Sequence, residues 1–145
     1  AAVGIAAGFG LAELIAAGVV TVVLFGKHID KLEADAAKGI HTLPVLLGDA
    51  QARVVAQGLV LSFFAVMAIL VLTGTLGVWT LATFAALPRA LQVMKTFRTP
   101  KPAQAPPGYP RWPLCYVAWA FVLTLLAVVL FALGLVATAL YPIFL

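Results

Sequence analysis

Three of the five acidic residues in this 145-residue chain, Asp30, Glu33 and Asp35, fall within six positions of one another, and the two histidines, His28 and His41, stand on either side of them. Long apolar runs lie before and after. Carboxylates are costly beside such runs, so a chain that gathers them in one place is positioning them for an ion or a ligand. The same stretch carries Lys27, Lys31 and Lys38, whose ammonium groups can donate to phosphate oxygens. One more carboxyl, Glu13, stands inside an apolar run; at membrane depth it is expected to line a cavity or to bond a neighbouring helix. His28 and Asp35, seven apart, share a helix face. One histidine and one carboxylate do not make a zinc site, so surface hydrogen bonding is the favoured reading, and His41 reads as a solvated loop residue.

The rest of the chain must hold this polar stretch in an oily setting. Apolar residues make up 64% of the sequence, charged residues only 10%, and the mean hydropathy is +1.14. An ordinary soluble domain is far more charged. The reading is an all-α, polytopic transmembrane helix bundle, a single transmembrane domain over 1–145, with room for about four spans of roughly 20 residues. The net charge of +4 does not point to nucleic acid, because the basic residues flank membrane segments and their natural partner is the lipid bilayer. A single cysteine, Cys115, excludes an internal disulfide. The chain opens on Ala1 with no start methionine and no basic n-region, so it does not read as a signal peptide, and a fragment of a longer protein is expected.

The first apolar run, to Phe25, exceeds one perpendicular span, so it is expected to tilt or to break near Gly8-Phe9-Gly10, with the spanning part from about Phe9 to Gly26. Gly4 and Gly8 form a small-xxx-small pair suited to close helix approach. The polar motif loop occupies 26–48. Gly48-Asp49 reads as a helix start with Asp49 as N-cap, followed by Arg53 and a second span to about Thr73. After the turn at Gly74–Gly77 a third span, about Leu76 to Phe97, should kink near Leu87 because of Pro88. Residues 98–111 hold five of the nine prolines and form an extended linker. Trp112 and Tyr116 mark a membrane interface, and an uncharged stretch then runs to Leu145. With four spans, all nine lysines and arginines fall on one side. That side is expected to be cytoplasmic, and the acidic motif with it.

The series Asp35-x-x-x-Gly39-Ile40-x-Thr42-Leu43-Pro44-Val45-x-Leu47-Gly48, set between two apolar helices, resembles the second aspartate-rich motif of the UbiA-type intramembrane prenyltransferases. The arrangement around it is similar to the C-terminal half of such an enzyme. The resemblance implies a bundle of about nine spans around a cavity for an isoprenyl diphosphate, with two aspartate motifs facing each other through Mg²⁺. It implies metal ligation by Asp35, Asp30 and Glu33, contact of Lys27, Lys31 and Lys38 with the diphosphate, and transfer of the isoprenyl chain to an aromatic or other lipophilic acceptor. The chemistry suits the residue types. Carboxylates hold Mg²⁺, a hard ion commonly shared with phosphates, and the ion stabilises charge on departing diphosphate.

Two departures from that pattern carry consequences. The family motif places a second aspartate four residues before the first, where this chain has Lys31; Asp30 is one residue out of step and points about 140° away from Asp35 on a straight helix. A local break or bulge is expected to bring Asp30 back, with Glu33 as a substitute, while Lys31 and Asp35 at i,i+4 could pair. The first aspartate motif is absent from these residues, so catalysis requires a further segment or chain. The alternative is a non-catalytic membrane subunit that serves as scaffold or lipid-binding surface beside other membrane subunits. An ion or metabolite carrier using Glu13 fits less well, since the carboxylates cluster at one face.

Overall fold

The computed structural model describes the backbone of residues 2–105, 107 and 112–145, and side chains from residue 17 onward together with Ile15. Glu13 and the Gly4/Gly8 pair therefore lie outside the described side chains, as do Pro106, Pro110 and Arg111 of the linker. Among the described residues every regular element is helical: α1 (Ala2–Asp30), α2 (Leu32–Ala37), α3 (Leu43–Leu47), α4 (Asp49–Leu72), a 3₁₀ helix (Val78–Ala86), α5 (Leu87–Arg98) and α6 (Tyr116–Leu140). The first helix does not break at Gly8–Gly10; it runs unbroken to Asp30.

Each long helix buries one stripe. On α1 it is Ile15, Val19, Val22, Gly26 and Ile29; on α4 Ala52, Ala56, Val60, Phe63, Met67 and Val71; on α6 Tyr116, Ala120, Leu123, Ala127, Phe131 and Gly134. Those positions recur every three or four residues, the spacing of one helical face. Along α6 small residues alternate with large ones, which lets backbones approach and side chains interdigitate. Helix α6 is the hub, packing on α1, α5 and the 3₁₀ helix, while α4 packs on α1 and α5. The outward faces are just as apolar: Leu61, Ile69 and Leu72 on α4, and Leu125, Leu133 and Val136 on α6, are exposed. Helices that are apolar on every side suit a bilayer rather than water. Among the described residues, α4 and α6 are long and apolar enough to cross a membrane.

The expected third span is built in two pieces. Residues 78–86 wind as a 3₁₀ helix, and α-helical geometry starts only at Leu87, with Pro88 in its first turn, where a missing N–H costs nothing. A nine-residue 3₁₀ run is long for a geometry that seldom exceeds a few residues. It is tightly fitted: a Cβ on Gly134 of α6 would fall 2.7 Å from backbone atoms of Trp79 and Thr80, and one on Gly77 would collide with Thr138. At this uncharged end the chain's last residues fold back, Ile143 and Tyr141 offering carbonyls to the Val78 N–H and the Trp79 indole N–H.

The opposite end collects the charge. There the end of α1, the start of α4, the end of α5 and the start of α6 meet beneath α2, α3 and the linker.

Candidate functional site

The polar motif starts where α1 stops. Lys31 leaves helical geometry (φ −108°, ψ 8°) and α2 resumes at Leu32, so the one-residue break expected between Asp30 and Asp35 is present. Helix α2 ends in a Schellman arrangement. Gly39 takes φ +69°, Gly39 N–H bonds the Ala36 carbonyl and Ile40 N–H bonds the Asp35 carbonyl. Thr42 is extended, Pro44 sits in the first turn of α3, and Gly48 (φ +79°) links α3 to α4. Asp49 is not the N-cap; Gly48 holds that position and Asp49 is the first helical residue. Its charge still lies at the positive end of the helix.

The break does not return Asp30 to Asp35. Instead Asp30 Oδ1 accepts the backbone N–H groups of Cys115 and Tyr116, both at 3.1 Å, and Oδ2 accepts that of Val117 at 3.0 Å. Those are first-turn donors of α6, which no helix satisfies internally. The preceding Pro113, Leu114 and Cys115 offer neither a hydroxyl nor a carboxylate to cap them. Asp30 thus serves α6 as a cap supplied from a distant helix. Lys101 completes the arrangement, its Nζ 3.7 Å from Oδ1 and donating to the Asp30 carbonyl at 3.2 Å. With 1% of its side chain exposed, Asp30 has both oxygens engaged by backbone N–H groups of α6.

Gly26 explains how Asp30 reaches its target. One helical turn before it and on the same face, Gly26 lies so close to α6 that an added Cβ would be 3.0 Å from the Tyr116 carbonyl carbon and the Val117 nitrogen. Arg53 makes the matching closure on the other side. It donates to Asp49 Oδ2 at 2.9 Å through Nε and Nη2, and through Nη1 to the carbonyls of Phe97 (3.2 Å) and Arg98 (3.1 Å) at the end of α5. A cation there also complements the negative end of the helix. Tyr116 joins the two closures, its ring stacked on Phe97 at 5.0 Å and its hydroxyl donating to the Thr99 carbonyl at 2.8 Å. Burial pushes the Cys115 thiol pKa above its ordinary value, and the Asp30 charge adds to the shift.

The other site candidates fall into two groups. Lys31 and Glu33 are exposed and line a cavity of about 590 Å³ together with Asp30, Leu32, Asp49, Lys101 and Trp112. That volume is within the usual range of small-molecule sites. Lys101 lies over the Trp112 ring, 5.3 Å from its centroid, so the cavity has a polar wall from the motif and an aromatic wall from Trp112, just after the linker. Asp35 does not line it; its Oδ2 lies 3.4 Å from His28 Nδ1. Its side-chain partner is this histidine and not Lys31. Lys27, Lys38 and His41 are exposed outside the cavity. The Thr42 hydroxyl is buried with no hydrogen-bond partner among the described residues, a polar group left over for water or a ligand.

A magnesium ion asks for oxygen ligands and, in phosphate-binding sites, commonly takes one or two carboxylates with the rest from phosphate and water. Asp35 and Glu33 retain carboxylate oxygens suited to that demand; both oxygens of Asp30 already accept N–H groups of α6. Among the described residues no three His, Cys, Asp or Glu side chains converge as a metal cage. Lys101, Trp112 and Arg53 were not singled out as site residues by the sequence reading. Lys101 stands within the proline-rich linker, and only the fold brings it to a motif some seventy residues earlier. Comparison with protein-family models, with curated proteins and with solved structures finds no match to this chain.

Proposed function

We propose that this chain is the membrane-embedded part of a Mg²⁺-dependent prenyltransferase that moves an isoprenyl group from its diphosphate to an aromatic or other lipophilic acceptor. The observation that supports the reading is a cavity at the polar end lined by Asp30, Lys31, Glu33, Asp49 and Lys101, next to the Asp35–Gly48 motif that continues from it in the chain. Lys31 and Lys101 offer ammonium donors from two different segments to an anionic headgroup. Asp35 and Glu33 are the residues that would hold the metal, whose chemistry is to stabilise charge on the leaving diphosphate. The chain's own contribution is positional. The break at Lys31 and the Schellman turn at Gly39 set the direction of α2, and α2 carries both carboxylates. The apolar body shields the reacting carbon from water.

By the positive-inside rule the polar end belongs to the cytoplasm, with α1, α4, the 3₁₀–α5 segment and α6 as four spans of a larger bundle. The test is diphosphate release from a prenyl diphosphate by membranes carrying the protein. Release that needs Mg²⁺, stops on chelation and is lost in Asp35→Ala supports the reading. Release indifferent to both refutes it.

A further inference from the structure

Helix α5 is amphipathic where the outward faces of α4 and α6 are apolar. It buries Ala90, Val93, Met94 and Phe97, and turns Arg89, Gln92, Lys95 and Thr96, spaced i, i+3, i+6 and i+7, to another side. Among the described residues the ion pairs are His28–Asp35, Arg53–Asp49 and Lys101–Asp30, and none includes Arg89 or Lys95. Arg89 is nevertheless held in place. Its Nη1 donates to Gln92 Oε1 at 2.9 Å, and its guanidinium carbon lies 5.3 Å from the centroid of the Trp119 ring on α6. Gln92 takes one of five N–H donors, so among the described residues the rest of the fork has no acceptor.

We propose that Arg89 and Lys95 bind the phosphate of an anionic phospholipid of the surrounding leaflet, with the lipid's acyl chain along the face of α6 below Trp119. Depth and charge argue for this occupant. Phe97 of α5 stacks on Tyr116 of α6, which sets a common level near the charged end. From that level Lys95 lies about 3 Å deeper along α5 and Trp119 about 4.5 Å deeper along α6. The Arg89 backbone is about 12 Å deeper, yet its guanidinium meets the Trp119 ring, so the side chain reaches back toward the charged end as a snorkelling arginine does. Both cations thus come to one shallow depth, beside a tryptophan of the kind that sits at headgroup level. One and two turns further along the Trp119 face of α6, Val122 and Leu126 are exposed and offer only carbon. An arginine fork suits a phosphate, and basic pockets between helices are a recurring form of anionic lipid site. Two unpaired cations favour a lipid with net negative charge over one whose ammonium neutralises its phosphate. The site requires the membrane setting of the chain and is independent of the prenyltransferase reading.

The experiment titrates the full chain in detergent at about 0.15 M salt, where long-range attraction is screened, with phosphatidylglycerol, phosphatidylcholine or inorganic phosphate. The half-saturating concentration is read from the rise in unfolding temperature. Phosphatidylglycerol is expected to stabilise the protein, and the other two to do so far more weakly. Arg89→Gln and Lys95→Gln should each weaken phosphatidylglycerol about fivefold, the scale of one cation near an anionic lipid. Lys95 is exposed, so its variant keeps the test open if Arg89→Gln does not fold. Lys38→Gln removes an equal charge from the cap of α2, an element not packed on α5, and should change the midpoint less than twofold. An equal loss in Lys38→Gln and in the two α5 variants would reduce the effect to general attraction and overturn the site. Equal binding of phosphatidylcholine would overturn the charge selection, and equal binding of inorganic phosphate the lipid. No response to phosphatidylglycerol would overturn the proposal and leave this side of α5 to an acidic segment of another chain.

Discussion

The carboxylate of Asp30 and the backbone N–H of Tyr116 meet at 3.1 Å, although 86 residues separate them. That bond, with its neighbours at Cys115 and Val117, ties the end of α1 to the start of α6 and withdraws Asp30 from the acidic cluster in which the sequence reading placed it. Asp30 is one residue out of step with Asp35 because the two face different partners. Asp30 shares its face with Gly26, toward α6, whereas Asp35 faces His28.

Replacing Asp30 by alanine removes the cap from three helix N–H groups and leaves Lys101 without its carboxylate. A lost cap costs about 1–2 kcal/mol, and buried donors left unsatisfied add a similar amount. Asp30→Ala is expected to lower the unfolding temperature in detergent clearly, and Asp30→Asn, which keeps one acceptor oxygen, to lower it less. Equal stability of all three proteins would show that the contact does not hold α6.

Gly26→Val is expected to destabilise by roughly 1–3 kcal/mol, since the new side chain must displace backbone of α6 rather than a mobile side-chain end. Gly39→Ala should cost about 1–2 kcal/mol for a different reason, the positive φ of the Schellman turn. Gly58→Ala, in open helix, should be neutral or stabilising by up to ~1 kcal/mol. Thermal unfolding of the three variants checks the order, and a Gly26 variant as stable as the Gly58 variant would contradict the close approach.

Arg53→Met keeps much of the side-chain volume but strips the donors from the Phe97 and Arg98 carbonyls and the cation from Asp49. Hydrogen bonds to charged groups contribute about 1.5–3 kcal/mol each way of counting, so a loss of about 2–3 kcal/mol is expected. Proteolysis within residues 98–105 should become faster than in the unsubstituted protein, because the end of α5 is released. Unchanged cleavage would remove Arg53 from this role.

Burial and the neighbouring Asp30 carboxylate both raise the Cys115 pKa. The neutral thiol is then favoured around pH 7–8, and the reactive thiolate forms only at more alkaline pH than for an ordinary cysteine. Alkylation by a maleimide is expected to lag a reference thiol at pH 7.5, with the gap narrowing as pH rises. Asp30→Asn removes one cause of the shift and should speed the reaction. A rate equal to that of an exposed thiol at pH 7.5 would contradict the burial.

Apolar composition with Gly and Pro punctuation made much of the helical plan legible. The helix after Gly48, the helix end at Gly39 and the change of geometry near Leu87 all follow from local chemistry, as does the shared face of His28 and Asp35. What escaped depends on distant partners. The 3₁₀ winding of residues 78–86 accompanies the close fit of Gly77 and Gly134, and nothing within 78–86 announces it. The role of Asp30 was hidden because its partners are backbone N–H groups, which leave no mark in a sequence. The one local trace was the Gly26-x-x-x-Asp30 spacing, a small residue and a carboxylate on one helix face.

Under the proposed function α2 presents metal-holding carboxylates to a prenyl diphosphate, and Asp30 caps α6. The most direct measurement of this division of roles is the Mg²⁺ dependence of prenyl diphosphate turnover in the unsubstituted protein, Asp35→Asn and Asp30→Asn. The account predicts a fall of about a hundredfold or more for Asp35→Asn, the scale of losing a group that stabilises transition-state charge, and an unchanged Mg²⁺ midpoint for Asp30→Asn at temperatures where it stays folded. A midpoint shifted in Asp30→Asn but untouched in Asp35→Asn would contradict it.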